Sequence, residues 1–250
     1  MKLIVSATSD IGNTRQENED MILIGHEFLR DTNKDYEFDF DPKEHPFLIA
    51  IADGMGGHQN GAYASELLLN EANKVIAELP SSLTPEDLKK HLNDSLKAIH
   101  QKLIFEAEQD PQKHGMGSTF VGTLFYDKAI YLINVGDSRL YRFRNNLLIQ
   151  ISKDHSLSAV SQNENTPKNI ILNSFGAGEH IFIDIEDISN RILPKDTLLL
   201  CSDGLSDELN DFEIEDSLSE SLCSKKLTQQ VKTKKAEDNI SIVTVQYNLK

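Results

Sequence analysis

The 250-residue chain carries 40 Asp and Glu against 25 Lys and Arg, a formal charge of −15. That argues against a general nucleic-acid binder, which needs a basic face for phosphates. With 39% hydrophobic and 26% charged residues, the composition is that of an ordinary soluble globular protein, and the length suits one domain spanning 1–250. Apolar runs such as residues 47–52 are far shorter than the roughly 20 residues of a membrane-spanning helix. The N-terminal MKLIVSATSD lacks the apolar stretch of a secretory signal. Two cysteines, Cys201 and Cys223, have no C-x-x-C spacing, so a cytoplasmic, reducing location without a membrane span is expected.

In chain order, residues 21–46 are acidic and idiosyncratic. Residues 31–35, DTNKD, begin like a calcium loop, but Tyr36 stands where glycine is required and Pro42 where the bidentate Glu belongs, so an acidic surface loop is expected. Residues 47–52 form an apolar strand. Ala64, Leu68, Ala72, Val75 and Leu79, and then Leu88, Leu92, Leu96, Ile99 and Leu103, recur at helical spacing and predict two consecutive amphipathic helices. Thr84-Pro85-Glu86-Asp87 supplies the second with a capping hydroxyl, a proline in the first turn and acids at the positive end. After Gly115 come β-rich runs at 118–126, 129–135, 139–143 and 147–151, with joins short enough to force antiparallel hairpins. Further strands are expected at 181–185, 197–201 and 240–246, with a helical stretch from 212 to about 235. The lysines at 225, 226, 232, 234 and 235 lie among acids and read as a solvated helix face. Strands in runs and helices in runs give a layered α+β fold.

Chemistry concentrates at strand ends. Asp53 closes the strand FLIAIA and runs into Gly54; Asp203 follows TLLLCS; Asp137 sits in the hairpin turn after LINV. Glu19-Asp20 and Asp238 lie near the termini. Carboxylates packed together repel one another, so a sheet that gathers these ends is suited to hold cations. Oxygen-only ligands point to Mg²⁺ or Mn²⁺ rather than zinc. A pair of such ions supports phosphate-ester hydrolysis, and Arg15, four residues before Glu19, is suited to grip the phosphate. Asp154-His155-Ser156 has the letters of a hydrolase triad, but adjacent residues cannot converge as one; a structural turn near the site is expected. Ser118 and Thr119 are expected to support the glycine turn. A dinucleotide site at Gly54-Met55-Gly56 fails, because Gln59 stands where the third glycine should be and Asp53 would face a pyrophosphate.

Seven ordered stretches resemble the metal-dependent Ser/Thr phosphatases of the PP2C (PPM) family, particularly compact bacterial members. They are SDIGNTRQENED (9–20), ADGMGGHQNGAYAS (52–65), GMGST (115–119), NVGDSRLYR (134–142), KDHS (153–156), CSDGL (201–205) and EDNIS (237–241). The resemblance implies a β-sandwich of two antiparallel sheets flanked by helix pairs, with a binuclear Mn²⁺ or Mg²⁺ centre at one end. By the same resemblance Asp53 bridges both ions, Gly54 gives its carbonyl to one, and Asp203 and Asp238 hold the other. Glu19 and Asp20 are implied ligands through water, and Asp137 and Asp207 join Asp203 in a third, weaker site. Arg15 matches the phosphate-binding arginine. The implied reaction is direct attack of metal-activated water on phosphoserine or phosphothreonine, with phosphorylated proteins as substrates and a bacterial Ser/Thr kinase as the opposing enzyme. A monomer is expected.

The chain departs from the family in two places. Met55 stands where many eukaryotic members have the His that serves as general acid, leaving water or His58 for that role. The flap after KDHS is reduced to LSAVSQNENTPKNIILNSFGAG, residues 157–178, short and polar. The alternative reading is a non-catalytic phosphopeptide-binding module of the same fold, which would predict a missing core carboxylate.

Overall fold

A computed structural model describes residues 1–56, 59–161, 166–167 and 170–248. His58 lies outside the described residues. In order the chain forms β1 (Lys2–Asp10), β2 (Asp20–Ile24), β3 (Glu27–Leu29), β4 (Thr32–Asp39), β5 (Phe47–Met55), α1 (Gln59–Ala77), α2 (Pro85–Gln109), β6 (Gly117–Ser118), β7 (Phe120–Tyr126) and β8 (Ala129–Val135). There follow β9 (Arg139–Arg144), β10 (Leu147–Gln150), α3 (Leu157–Val160), β11 (Asp184–Asp187), β12 (Thr197–Cys201), α4 (Asp203–Ser206), α5 (Asp211–Glu220), α6 (Ser224–Lys232) and β13 (Ile240–Asn248). One sheet has the order β10-β9-β12-β13-β1-β4, the other β11-β8-β7-β5-β2-β3 with β6 paired to β5. Every pairing within them is antiparallel.

The period of two along each strand divides the apolar residues among three cores. Ile49 and Ile51 of β5, Ile22 and Ile24 of β2, and Val243 and Val245 of β13 point inward and fill the space between the sheets. Their neighbours Leu48, Ala50, Met21 and Leu23 point outward and pack under α1 and α2 with Leu68, Leu92 and Leu103. On the far side, Leu199, Ile240 and Ile242 meet Ile214, Leu218, Leu227 and Val231 of α5 and α6. The result is the expected α+β sandwich with a helix pair on each outer face. Strands buried on both faces read as unbroken apolar runs, which is why β5, β7, β8 and β12 are plain in the sequence.

The differences have local causes. Residues 31–35, expected to be an acidic surface loop, lie largely in strand β4, an edge strand whose Lys34, Asp35 and Glu37 are exposed, a pattern that protects a sheet edge and hides the strand signal. The 181–185 strand forms instead at Asp184–Asp187. The stretch 212–235 is two helices, because Ser221 turns extended and ends the first. Thr84 caps α2 as expected, accepting a hydrogen bond from the Asp87 amide at 3.1 Å. The lysine face is confirmed as solvated: Lys232 pairs with Asp10, Lys234 with Glu213 and Lys226 with Glu220.

Candidate active site

The ends of four strands, two from each sheet, meet at one end of the sandwich. Asp20 and Asp53 stand directly opposite each other on β2 and β5. Across the gap, Ser202 and Ser241, which flank the end of β12 and the start of β13, are joined by a 3.0 Å backbone hydrogen bond. Ser202 Oγ donates to Asp20 Oδ2 at 2.8 Å and so ties the two sheets together beneath the carboxylates. Asn239 supplies a second tie: its Oδ1 accepts from the Glu19 amide at 2.8 Å, and its Nδ2 donates to the carbonyls of Ile11 and Glu17, both at 3.0 Å. Neither Ser202 nor Asn239 was assigned a role from sequence, although both lie inside quoted motifs. Their signal was adjacency to an acid.

Close approach explains the glycine after Asp53. A Cβ on Gly54 would lie 2.0 Å from the Gly61 carbonyl oxygen, so only glycine lets β5 and the start of α1 converge on Glu19. Ser118 and Thr119 are supports, as expected: Ser118 Oγ donates to the Asp53 carbonyl at 3.0 Å, and the Asp53 amide donates to Thr119 Oγ1 at 3.1 Å.

The carboxylates are held in unfavourable surroundings. Burial, followed by the charges of Asp20, Asp203, Asp238 and Asp137, pushes Asp53 well above the usual carboxylate range. Asp203 is raised in the same way by burial and by Asp137, Asp238, Asp207 and Asp20. Asp20 is fully buried and raised mainly by that burial, against the Ser202 hydrogen bond that lowers it. Glu19 is raised by burial more than Arg15 lowers it. Three buried oxygens, Glu19 Oε1, Asp20 Oδ1 and Asp203 Oδ1, have no hydrogen-bond partner among the described residues. Leaving a buried carboxylate oxygen unpaired is costly, and the oxygen-only donor set fits a hard divalent cation.

The remaining candidates divide between two cavities. Asp137 and Asp207 line a small one of about 70 Å³ together with Asp203, Arg139, Asp154, Ser156, Ser158 and Ser206. A larger one of about 380 Å³ opens beside it, with Asp203, Gly204, Asp207 and Asp238 in its wall. Asp137, buried behind its turn, is pushed up to about 6 by burial first and then by Asp154 and Asp207. Among the described residues no three His, Cys, Asp or Glu side chains converge as a closed ligand set; the acids share one end of the fold and the field there. Arg15 is close at hand. Its guanidinium donates to Asp238 Oδ2 at 2.7 Å, with both side chains over a third exposed.

This geometry matches known proteins. The protein phosphatase 2C family pattern covers residues 30–241. The chain belongs to the protein phosphatase 2C family. A serine/threonine phosphatase Stp from Listeria welshimeri is 32% identical over 235 residues, covering 88% of this chain and 92% of that protein. The solved S. agalactiae serine/threonine phosphatase superposes with a TM-score of 0.81 at 25% identity, covering 98% of this chain and 100% of that one. The catalytic domain of the phosphatase PstP, solved in complex with two manganese ions, gives a TM-score of 0.76 at 26% identity and full coverage of both chains. This protein phosphatase 2C chain has no helix long and apolar enough to cross a membrane among its described residues.

Proposed function

We propose that the chain hydrolyses phosphoserine and phosphothreonine in proteins, using two Mn²⁺ or Mg²⁺ ions with a third, weaker site, and that it opposes a bacterial Ser/Thr kinase. Asp53, Gly54, Asp203 and Asp238 would hold the ion pair, with Glu19 and Asp20 acting through water, and Asp137, Asp207 and Asp203 would hold the third ion. The observation that carries this reading is the set of three buried, unpartnered carboxylate oxygens on Glu19, Asp20 and Asp203. Bound divalent cations supply an activated water and offset phosphoryl charge.

The chain's own residues set the stage for that chemistry. Ser202 fixes the Asp20 carboxylate and Asn239 fixes the Glu19 backbone against the opposite sheet. Arg15 holds Asp238 through a half-exposed pair, and such pairs are worth only about 0–1 kcal/mol. The guanidinium can therefore leave Asp238 to a cation and turn to the phosphate, which it can bind bidentately. We take residues 1–250 as one domain acting as a cytoplasmic monomer.

The test is hydrolysis of a phosphothreonine peptide with Mn²⁺, with Mg²⁺ and with EDTA, using Asp203→Asn as control. Turnover that needs the cation and disappears in the variant supports the reading. A folded protein with no turnover under any condition refutes it and leaves the binding module.

A further inference from the structure

The KDHS stretch lies directly beneath the turn that carries Asp137, and its residues bond to that turn one after another. Asn134 Nδ2 donates to the Lys153 carbonyl at 2.9 Å. Arg139 forks onto Asp154, with Nη2 to Oδ2 at 2.7 Å and Nε to Oδ1 at 3.1 Å. Between them His155 and Gly136 pair in both directions: the His155 amide donates to the Gly136 carbonyl at 2.9 Å, and the Gly136 amide donates to His155 Nδ1 at 3.2 Å. Gly136 has φ +104, and a Cβ there would lie 2.7 Å from Thr119. The position therefore requires glycine, whose wide conformational freedom is here narrowed by the two bonds to His155.

The imidazole's tautomer follows from Asn173. The Asn173 amide is oriented by Phe182, whose N–H donates to Oδ1 at 3.3 Å and whose carbonyl accepts from Nδ2 at 2.8 Å. Its Nδ2 then donates to His155 Nδ1 at 2.9 Å. With two N–H groups aimed at it, Nδ1 is the acceptor and the ring proton sits on Nε2, facing Asp184 Oδ2 at 3.1 Å. His155 is 7% exposed and its ring lies 4.4 Å from that of Phe182. Its carbonyl also accepts from the Leu172 amide at 2.8 Å, so one residue joins the Asp137 turn, the shortened flap and β11.

We infer that His155 is a positioning residue: through Nδ1 it holds the Gly136 turn so that Asp137 stays in the wall of the cavity it shares with Asp203 and Asp207. This rests on the reading of Asp137 as a cation ligand. Groups that orient a ligand typically change metal affinity by roughly 10- to 100-fold when lost.

The two ring nitrogens can be tested separately. His155→Asn keeps an acceptor near the Nδ1 position, and His155→Gln keeps a donor near the Nε2 position. In cation-free protein shown to be folded by circular dichroism, hydrogen exchange of the Gly136 amide should quicken in His155→Gln and stay near wild type in His155→Asn. In a calorimetric Mn²⁺ titration, with Asp137→Asn as reference, the weakest site should lose about tenfold affinity in His155→Gln and under about threefold in His155→Asn. Equal effects of the two variants in both measurements overturn the inference. So does an unchanged titration in His155→Gln where Asp137→Asn changes it. An unchanged titration in Asp137→Asn instead overturns the ligand reading, and the exchange measurement then still decides whether His155 holds the turn.

Discussion

Strand β12 has an aspartate beyond each of its ends, and the two are treated in opposite ways. Asp196, just before Thr197, is 1% exposed and its carboxylate is fully occupied. Arg144 forks onto it with two bonds of 2.6 Å, and the Leu193 amide adds a third at 2.7 Å. Asp203, half-buried just after the other end, has one buried oxygen with no partner among the described residues, and its strongest charged neighbours are further acids. A buried charge that is paired and hydrogen-bonded holds the fold together. A buried charge left unpaired and surrounded by like charges weakens it, and such a site is kept for what it binds.

Exchanging the roles of the two ends is the largest effect to expect. Asp203→Asn should lower phosphopeptide turnover by at least about 100-fold, since even groups that only orient a ligand cost roughly 10- to 100-fold. It should leave the melting temperature of the cation-free protein unchanged or raised. Asp196→Ala should do the reverse, keeping kcat within about threefold while lowering the melting temperature by roughly 5 °C. Paired kinetics and thermal melts decide it, and loss of activity in both variants at equal stability would erase the contrast. Mn²⁺ at about 100 times its dissociation constant should stabilise the wild type by about 2.7 kcal/mol, a shift of roughly 5–10 °C at this chain length. The shift should persist in Asp196→Ala and shrink in Asp203→Asn.

The sequence makes one end of this strand legible and not the other. Asp203 stands in CSDGL between an apolar run and a glycine, and Asp53 has the same setting, so local pattern marks both. Asp196 sits in the turn LPKD, and its partner Arg144 lies 52 residues earlier; no local pattern links them. The same holds for the ties across the site. Asn239 bonds to Ile11, Glu17 and Glu19, contacts that exist only once β13 is brought beside β1. The apolar strands and both long helices are readable because their periodicity is intrinsic. Strands β1 and β4 are not, since polar residues such as Ser6, Thr8, Lys34 and Asp35 take extended form through pairing partners.

Arg15 gives an effect of intermediate size. It touches the acidic end through Asp238. On the proposed reading, its removal takes one charge-assisted contact from the phosphate, worth about 1.5 kcal/mol or more. Arg15→Ala should therefore raise KM for a small phosphate ester by about tenfold with a smaller change in kcat. Steady-state kinetics at saturating Mn²⁺ check this. A fall in kcat at constant KM would mean that Arg15 acts through Asp238 rather than on the substrate.

The smallest expected effect is also the most direct reading of the acidic end, and it concerns the cation-free protein. Asp137 is raised from the usual 3.8 to about 6, chiefly by burial, so the folded chain keeps its proton at pH values where the unfolded chain has released it. With more protons bound in the folded state, stability falls as pH rises through that interval. The slope is at most about 1.4 kcal/mol per pH unit for each such group. Asp53 and Asp203, raised well above 3.8 by burial and by their acidic neighbours, add to the loss in the same direction. Denaturant midpoints in EDTA should accordingly decline from pH 4.5 to 7 at fixed ionic strength, and decline less steeply in Asp203→Asn. A midpoint that rises with pH over this range would mean that the raised carboxylates of the acidic end do not dominate the titration.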